Sequence, residues 1–369
     1  MKALHRGIAV DDDVVLEALR EHSGYLHQIA CCTRLHFDAI VERTFEEIAR
    51  FQRSQNMLRF AYSVKTNPDA TLVMQAQRSG LLAEVISPAE VAHAIACGFE
   101  AERLVYNGPY PAQYSSVSPG HVFADSLESY VGAASVFAGS LVGVRLRPEG
   151  IPSHFGLPRN RLSAAATAIR ASGRERFGVA FHVRPQDYGG RSFVEIVEDV
   201  LAMARDLEKA AGVPLTVFDV GGGKRPAEFD EAIAAGEFEW LQQRVARALP
   251  QVTTLIAEPG QALATSCEGV AARVLEVRYA GGAVAEIVLD AGFADVPQIA
   301  TYPHRFFLID GDRVSRIPAG DARIIGRTCL EYDILAKDLA LDDCRVGDIV
   351  AIADCGAYDA SMSFEFARG

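Results

Sequence analysis

The chain has 369 residues, of which 49% are apolar and 23% charged, an ordinary globular composition able to bury a large core without disulfide or metal staples. Its 36 Lys and Arg against 48 Asp and Glu leave a formal net charge of −12, the wrong sign for binding nucleic acid or docking on an anionic membrane. No apolar run reaches the roughly 18 residues of a spanning helix, and the opening MKALHRGIAVDDD lacks the apolar stretch of a signal peptide, so a cytoplasmic protein is expected.

In chain order, helical and β-rich spacings alternate through the first two-thirds. Residues 39–53 predict a helix with Ile40, Phe45, Ile48 and Phe51 near one face, and 58–64 a strand. A helix over 69–79 is closed by Gly80, a strand follows at 82–86, a helix over 88–96 ends at Gly98, and 104–106 is a strand. Further strands are predicted at 141–146, 178–183, 215–220 and 254–257, with helices at 193–211 and 237–248 between them. This alternation predicts a parallel sheet, and about eight units over about 240 residues fit a (β/α)8 barrel. After residue 271 the texture becomes β, with strand-like runs around 270–279, 284–293, 305–314, 322–330 and 348–356 separated by Gly and Asp turns. Asp310-Gly311-Asp312 is a hairpin signal. The predicted division is an N-terminal segment 1–29 packing with the β domain, a barrel over 30–270, and a β-sandwich or β-barrel domain over 271–369.

Six short motifs can carry chemistry. Lys65 ends the apolar run Phe60-Ala61-Tyr62-Ser63-Val64, at the strand end that faces a barrel's active site. It is either a surface lysine closing a strand or a buried amine suited to Schiff-base formation. Gly221, Gly222 and Gly223 follow another apolar strand, as a flexible turn or as an anion cradle of backbone N–H groups. Glu258, in Glu258-Pro259-Gly260, either holds a cationic group or is a solvated residue near a helix start. His182 either stacks on an aromatic cofactor or fills the core. Gly326-Arg327-Thr328-Cys329-Leu330-Glu331-Tyr332-Asp333 and Asp354-Cys355-Gly356-Ala357-Tyr358 read singly as turns of the β domain. The seven cysteines form no CxxC pair, so no zinc site is signalled and most read as small buried hydrophobes.

Taken in order, these motifs resemble the fold-type III pyridoxal-phosphate enzymes, the group of ornithine, diaminopimelate and arginine decarboxylases, from about residue 25 to the C-terminus. The resemblance implies an alanine-racemase-like (β/α)8 barrel with a C-terminal β domain, and pyridoxal 5′-phosphate as cofactor. It makes Lys65 the cofactor lysine within Tyr62-Ser63-Val64-Lys65-Thr66-Asn67. Glu84 stands where the family has an aspartate. Ser87, Glu90 and Asn107-Gly108-Pro109 follow the next strand ends, and Arg145 and Ser153-His154-Phe155-Gly156 match a further arginine and turn. The resemblance assigns His182 to stack on the pyridine ring, Gly221–Gly223 to the phosphate, and Glu258 to the pyridine nitrogen. Cys329 becomes the proton donor and Tyr358 a cofactor contact. In the family this cysteine comes from the neighbouring subunit, so a homodimer with sites at the interface is implied.

Departures from the family pattern bear on the substrate. The arginine that usually follows Glu-Pro-Gly is Gln261, and Arg184 lies where the family has a glycine, which makes it a candidate replacement for the missing positive charge. Basic-amino-acid decarboxylases carry an acid directly after the cysteine; here it is Leu330, with Glu331 and Asp333 further on. A second carboxylate expected after Tyr302, near His304, is Pro303. An unpaired buried ammonium is costly, so the expected substrate is an acylated, conjugated or carrier-bound amino acid rather than free ornithine or lysine, as in siderophore or antibiotic pathways. An amino-acid racemase of the same plan would place an arginine at the pyridine nitrogen, which Glu258 is not. A non-catalytic cofactor-binding relative would not need Lys65, Glu258 and Cys329 together.

Overall fold

The computed structural model describes residues 7–26, 28–108, 117–311 and 313–366. It divides into a barrel unit, Phe45–Ala262 with the segment up to Ile8, and a sheet unit, Ala9–Thr44 with Leu263–Gly369. These boundaries differ from 30 and 270 for a hydrogen-bonding reason. Strand β1 (Thr33–His36) pairs antiparallel with a later strand, Thr33 opposite Ala271 and His36 opposite Glu268, which makes it part of the sheet unit.

In the barrel unit, β2 (Leu58–Ser63), β3 (Leu82–Val85), β4 (Leu104–Tyr106), β5 (His121–Ala124), β6 (Leu141–Arg145), β7 (Phe177–Ala180), β8 (Leu215–Gly222) and β9 (Thr254–Glu258) form a closed parallel barrel, with β9 returning to β2. One side chain from each strand fills the interior: Ala61, Leu82, Val105, Phe123, Leu141, Ala180, Val217 and Ile256. The Phe123 ring occupies the space beside Gly143 and Gly178, where an added Cβ would lie 2.8 and 2.9 Å from it, so these strand glycines are required by packing. On the outer face, Phe60 meets Phe51, Phe229 and Phe238 at centroid distances of 6.1, 5.7 and 5.5 Å.

Three strand readings differ from sequence expectation. The strand predicted at 178–183 stops at Ala180, leaving His182 in the following loop. The strand predicted at 215–220 runs on through Gly222. Strand β5 was not predicted, because four residues opening on histidine show no legible periodicity.

The sheet unit holds β10 (Glu268–Ala280), β11 (Ala283–Leu289), β12 (Arg305–Asp310), β13 (Arg313–Arg316), β14 (Ala319–Ile325), β15 (Ile334–Leu339) and β16 (Ile349–Ala353), ordered β13-β12-β16-β10-β11-β14-β15 with β1 also on β10. The sheet is mixed, since β11 and β14 run parallel. Gly269–Arg273 of β10 pair with β16, whereas Val274–Ala280 pair with β11 across a bulge, and Val270, Val274, Ile287, Ile324, Val350 and Ile352 from both halves share one core. Strand β15 was also not predicted, its Lys337 and Asp338 breaking the apolar run. Asp310 pairs with Arg313 beside Gly311 at φ +58°, a hairpin whose other turn residue, Asp312, lies outside the described residues, as do the first six residues of the chain and Pro109. Helix α1 (Asp12–Leu26) is tied to this sheet by Arg305, which donates to Asp354 at 2.6 and 2.8 Å, to Asp12 at 3.2 Å and to the Val10 carbonyl at 3.0 Å. Among the described residues, no helix is long and apolar enough to cross a membrane.

Phe60 is fully buried beneath the strand that leads to Lys65. Phe60→Ala is expected to destabilise the protein by about 3–5 kcal/mol through the cavity it leaves, measured as a lowered urea midpoint in chemical denaturation.

Candidate active site

Parallel pairing places the C-terminal ends of all barrel strands on one rim, and a cavity there is lined by Lys65, Glu84, Asn107, Asp125, Arg145, His182, Asp219 and Glu258 among others. The turn after β2 is held from several sides. The Val64 N–H donates to the Glu84 carbonyl at 3.0 Å, and the Thr66 N–H to the Ser63 carbonyl at 3.0 Å. The Tyr62 hydroxyl donates to the Asn67 carbonyl at 2.8 Å. Asp69, whose N–H donates to Asn67 Oδ1 at 2.9 Å, caps the next helix, α3 (Ala70–Arg78), through the Thr71 N–H. This frame presents Lys65, whose Nζ forms an ion pair with Glu84 Oε2; the lysine is 28% exposed and the glutamate 1%.

Three carboxyls share the floor of the cavity. Burial raises the pKa of Glu84, against the pull of Lys65, with Glu258 adding to the rise. Glu258 is equally buried, but the His182 imidazole beside it and the charge of Lys65 outweigh burial and hold it below the ordinary range. Its Oε1 accepts from Asn107 Nδ2, and its Oε2 lies 3.6 Å from His182 Nδ1. Asp219, wholly buried in β8, accepts the Gly221 N–H at 2.8 Å on Oδ1. Burial, reinforced by Glu258, pushes its pKa well above the usual aspartate range.

The glycines end β8 beside this floor. Gly221 has φ +66°, and a Cβ there would lie 2.6 Å from His182 Nδ1; a Cβ on Gly222 would collide with the Glu258 carbonyl. The Gly222 N–H points at His182 Nδ1 at 3.2 Å. Only residues without side chains let this backbone approach so closely. Arg145 stands across the cavity, 3.6 Å from Asp125, donating to the His182 carbonyl at 3.3 Å and lying 5.3 Å from the Phe155 ring centroid. Arg184 does not line the cavity. Its side chain is 52% exposed, and its Nε donates to Asp187 at 2.6 Å, although its backbone borders Gly223.

The barrel therefore brings together Lys65, Glu84, Arg145, His182, Gly221, Gly222, Gly223 and Glu258. Sequence reasoning gave no role to three further residues. Asn107 was visible at a strand end and Asp219 within an apolar strand, whereas Asp125 follows the strand that was not predicted.

The remaining candidates belong to the sheet unit. Cys329 is exposed on the loop between β14 and β15, with Leu330 half-buried and Glu331 exposed. Asp333 is 3% exposed, and its two oxygens accept from the Phe293 N–H at 2.7 Å, the Thr328 N–H at 3.0 Å and the Thr328 hydroxyl at 2.5 Å. These bonds commit it to folding the loop. His304 is likewise committed: Nε2 lies 2.9 Å from Asp359 and Nδ1 2.9 Å from the Tyr302 carbonyl, with the side chain 1% exposed. Tyr302 and Tyr358 stack at 6.5 Å, and Tyr358 has φ +68°.

The barrel site fits pyridoxal phosphate on its own geometry. It offers an amine, a glycine strand end that excludes side chains, a flat imidazole between that end and a carboxylate, and a buried amide oxygen, Asn107 Oδ1, without a partner among the described residues. Residues 60–356 match the family model described as pyridoxal-dependent decarboxylase, C-terminal sheet domain. The chain is 26% identical over 355 residues to the diaminopimelate decarboxylase of Archaeoglobus fulgidus, covering 89% of this chain and 83% of that protein. It is 25% identical over 349 residues to the L-glutamyl-[BtrI acyl-carrier protein] decarboxylase of Niallia circulans, covering 84% and 80%. The crystal structure of the Paramecium bursaria Chlorella virus arginine decarboxylase bound to agmatine shares the fold, with a TM-score of 0.78 at 17% identity over 96% of this chain and 97% of that one. With a match over most of its length, the chain belongs to the pyridoxal-dependent decarboxylases, whose cofactor is pyridoxal 5′-phosphate.

Proposed function

We propose that this enzyme decarboxylates an amino acid whose distal end is not a bare ammonium: an acylated, conjugated or carrier-bound amino acid. The observation that carries this reading is Leu330 directly after Cys329, on a loop whose next acids are the exposed Glu331 and the fully engaged Asp333. A free ammonium meeting Leu330 would lose water without gaining a partner. The relative that acts on a glutamyl group held by a carrier protein supports the reading. Diaminopimelate is the second reading, favoured by the names of several relatives, since its distal end carries a carboxylate beside the ammonium.

In this reading Lys65 holds the cofactor through its amine. Pyridoxal phosphate supplies the electron sink for the carbanion left when CO2 departs. Glu84 Oε2, raised by burial and paired with Lys65 Nζ, takes and returns the lysine's proton. Glu258, whose pKa is held low, would pair with the pyridine nitrogen, His182 would stack on the ring, and Gly221, Gly222 and Gly223 would border the phosphate, with the Gly221 and Gly222 N–H groups already donating to Asp219 and His182. Arg145 and Tyr358 complete the cofactor contacts. Cys329, supplied by the partner in a homodimer, delivers the proton that replaces CO2, with Tyr302 near the substrate. The Arg184 guanidinium pairs with Asp187 and lies outside the cavity lining, which speaks against it as the phosphate's cation.

Lys65→Ala is expected to abolish the visible absorbance band of the cofactor-loaded protein. Arg184→Ala should weaken cofactor affinity less than about threefold, as for an exposed pair; a loss of tenfold or more would restore Arg184 as the phosphate's cation. A mass-spectrometric screen for loss of CO2, with Lys65→Ala as control, should find turnover of acylated or carrier-bound amino acids and none of free ornithine or lysine. Turnover of diaminopimelate alone would select the second reading.

A further inference from the structure

We propose that Asp219 keeps a proton and donates it in a hydrogen bond to Glu258, so that a carboxyl–carboxylate pair, not Glu258 alone, faces the cofactor's pyridine nitrogen. This rests on the cofactor reading of the site and makes Asp219 a positioning residue for it.

The geometry points to this arrangement in three ways. Asp219 Oδ1 is anchored as an acceptor by the Gly221 N–H at 2.8 Å, while Oδ2 is buried and receives no hydrogen bond from any donor among the described residues. A carboxylate oxygen buried without a donor is rare; the same oxygen carrying a proton beside a carboxylate is satisfied. Secondly, the cations of the floor are already taken. Lys65 is on Glu84 and Arg145 is on Asp125, whereas Glu258 has Asn107 and His182, and Asp219 has none of these. The groups facing Asp219 are Glu258 from β9, Glu84 from β3 and the Gly221 N–H of its own strand, so its surroundings favour the neutral form. Thirdly, β8 and β9 are parallel neighbours, with Asp219 opposite Ile256 and, across a shift in register, Gly222 opposite Glu258, which sets the two carboxyls on the same end of adjacent strands.

The consequence is chemical. A hydrogen bond donated to a carboxylate stabilises its ionised form and lowers its proton affinity. Glu258 is thereby a weak base, and the shared proton opposite it stays on the ring nitrogen. Asp219 also fixes the turn into the glycines through Oδ1, so orientation of Glu258 and closure of the phosphate loop depend on one side chain.

An amide reproduces this pattern and a methyl does not. In Asp219→Asn the carbonyl oxygen still accepts from Gly221 and the NH2 still donates to Glu258. With 15N-labelled cofactor bound, Asp219→Asn is expected to keep the ring-nitrogen resonance at its protonated position and cofactor affinity within about twofold. Asp219→Ala should move the resonance toward the unprotonated position and weaken affinity about tenfold or more, as for loss of a hydrogen bond to a charged group. Should the alanine variant fail to fold, infrared difference spectra of cofactor-free wild type and Asp219→Asn decide the matter. A protonated-carboxyl stretch at neutral pH, present in wild type and missing from Asp219→Asn, supports the pair. Its absence, or an Asp219→Asn resonance that moves as in the alanine variant, overturns it. The infrared test needs no cofactor, so its failure removes the pair alone, whereas an absorbance band retained in Lys65→Ala removes the cofactor reading.

Discussion

Like charges at the ends of adjacent strands dominate this barrel. Asp219, Glu258, Lys65 and Glu84 follow one another around the rim on β8, β9, β2 and β3, and all three carboxyls are nearly or fully buried. Two like charges about 4 Å apart repel by about 4 kcal/mol at the effective dielectric of such sites. The fold meets this cost with a different device at each acid: a cation at Glu84, an amide and an imidazole at Glu258, and a backbone N–H with a raised proton affinity at Asp219. The site is thus locally balanced inside a chain of net charge −12.

Close packing forms the other half of the site. Gly221 and Gly222 at the end of β8 pass so near His182 and the Glu258 carbonyl that a Cβ on either would collide with them. In the sheet unit, Asp333 does for the Cys329 loop what hydrogen bonding does for the Lys65 turn, gathering Thr328 and Phe293 so that the exposed thiol stands on a fixed loop. Leu330 follows the thiol on this loop with an apolar, half-buried side chain.

Much of the barrel was legible because its strands are apolar runs buried on both faces and its helices carry a 3.6-residue stripe. Strand β5, four residues opening on His121, and β15, carrying Lys337 and Asp338, escaped because length and charge erase the period. Lys65, Glu258 and the three glycines were legible because each sits at a strand end and has a residue type suited to one task. Asn107 and Asp125 were not, since their meaning lies in partners 151 and 20 positions away in sequence. The partners of Asp333 and His304 were not legible either, because a buried acid or imidazole looks the same in sequence whether it waits for a ligand or is already hydrogen-bonded within the protein.

By itself, the sequence determined which residue types stand at the strand ends, because periodicity and turn chemistry are local. It also determined that no acid directly follows Cys329. The tertiary structure alone decided which charges meet. Pairing of β2 with β3 puts Lys65 on Glu84, while barrel closure, with β9 beside β2 about two hundred positions apart in the chain, brings Asn107 to Glu258 and leaves Asp219 against a carboxylate with no cation of its own among the described residues. Protonation depends on those distances and on burial, and neither exists until the chain has folded.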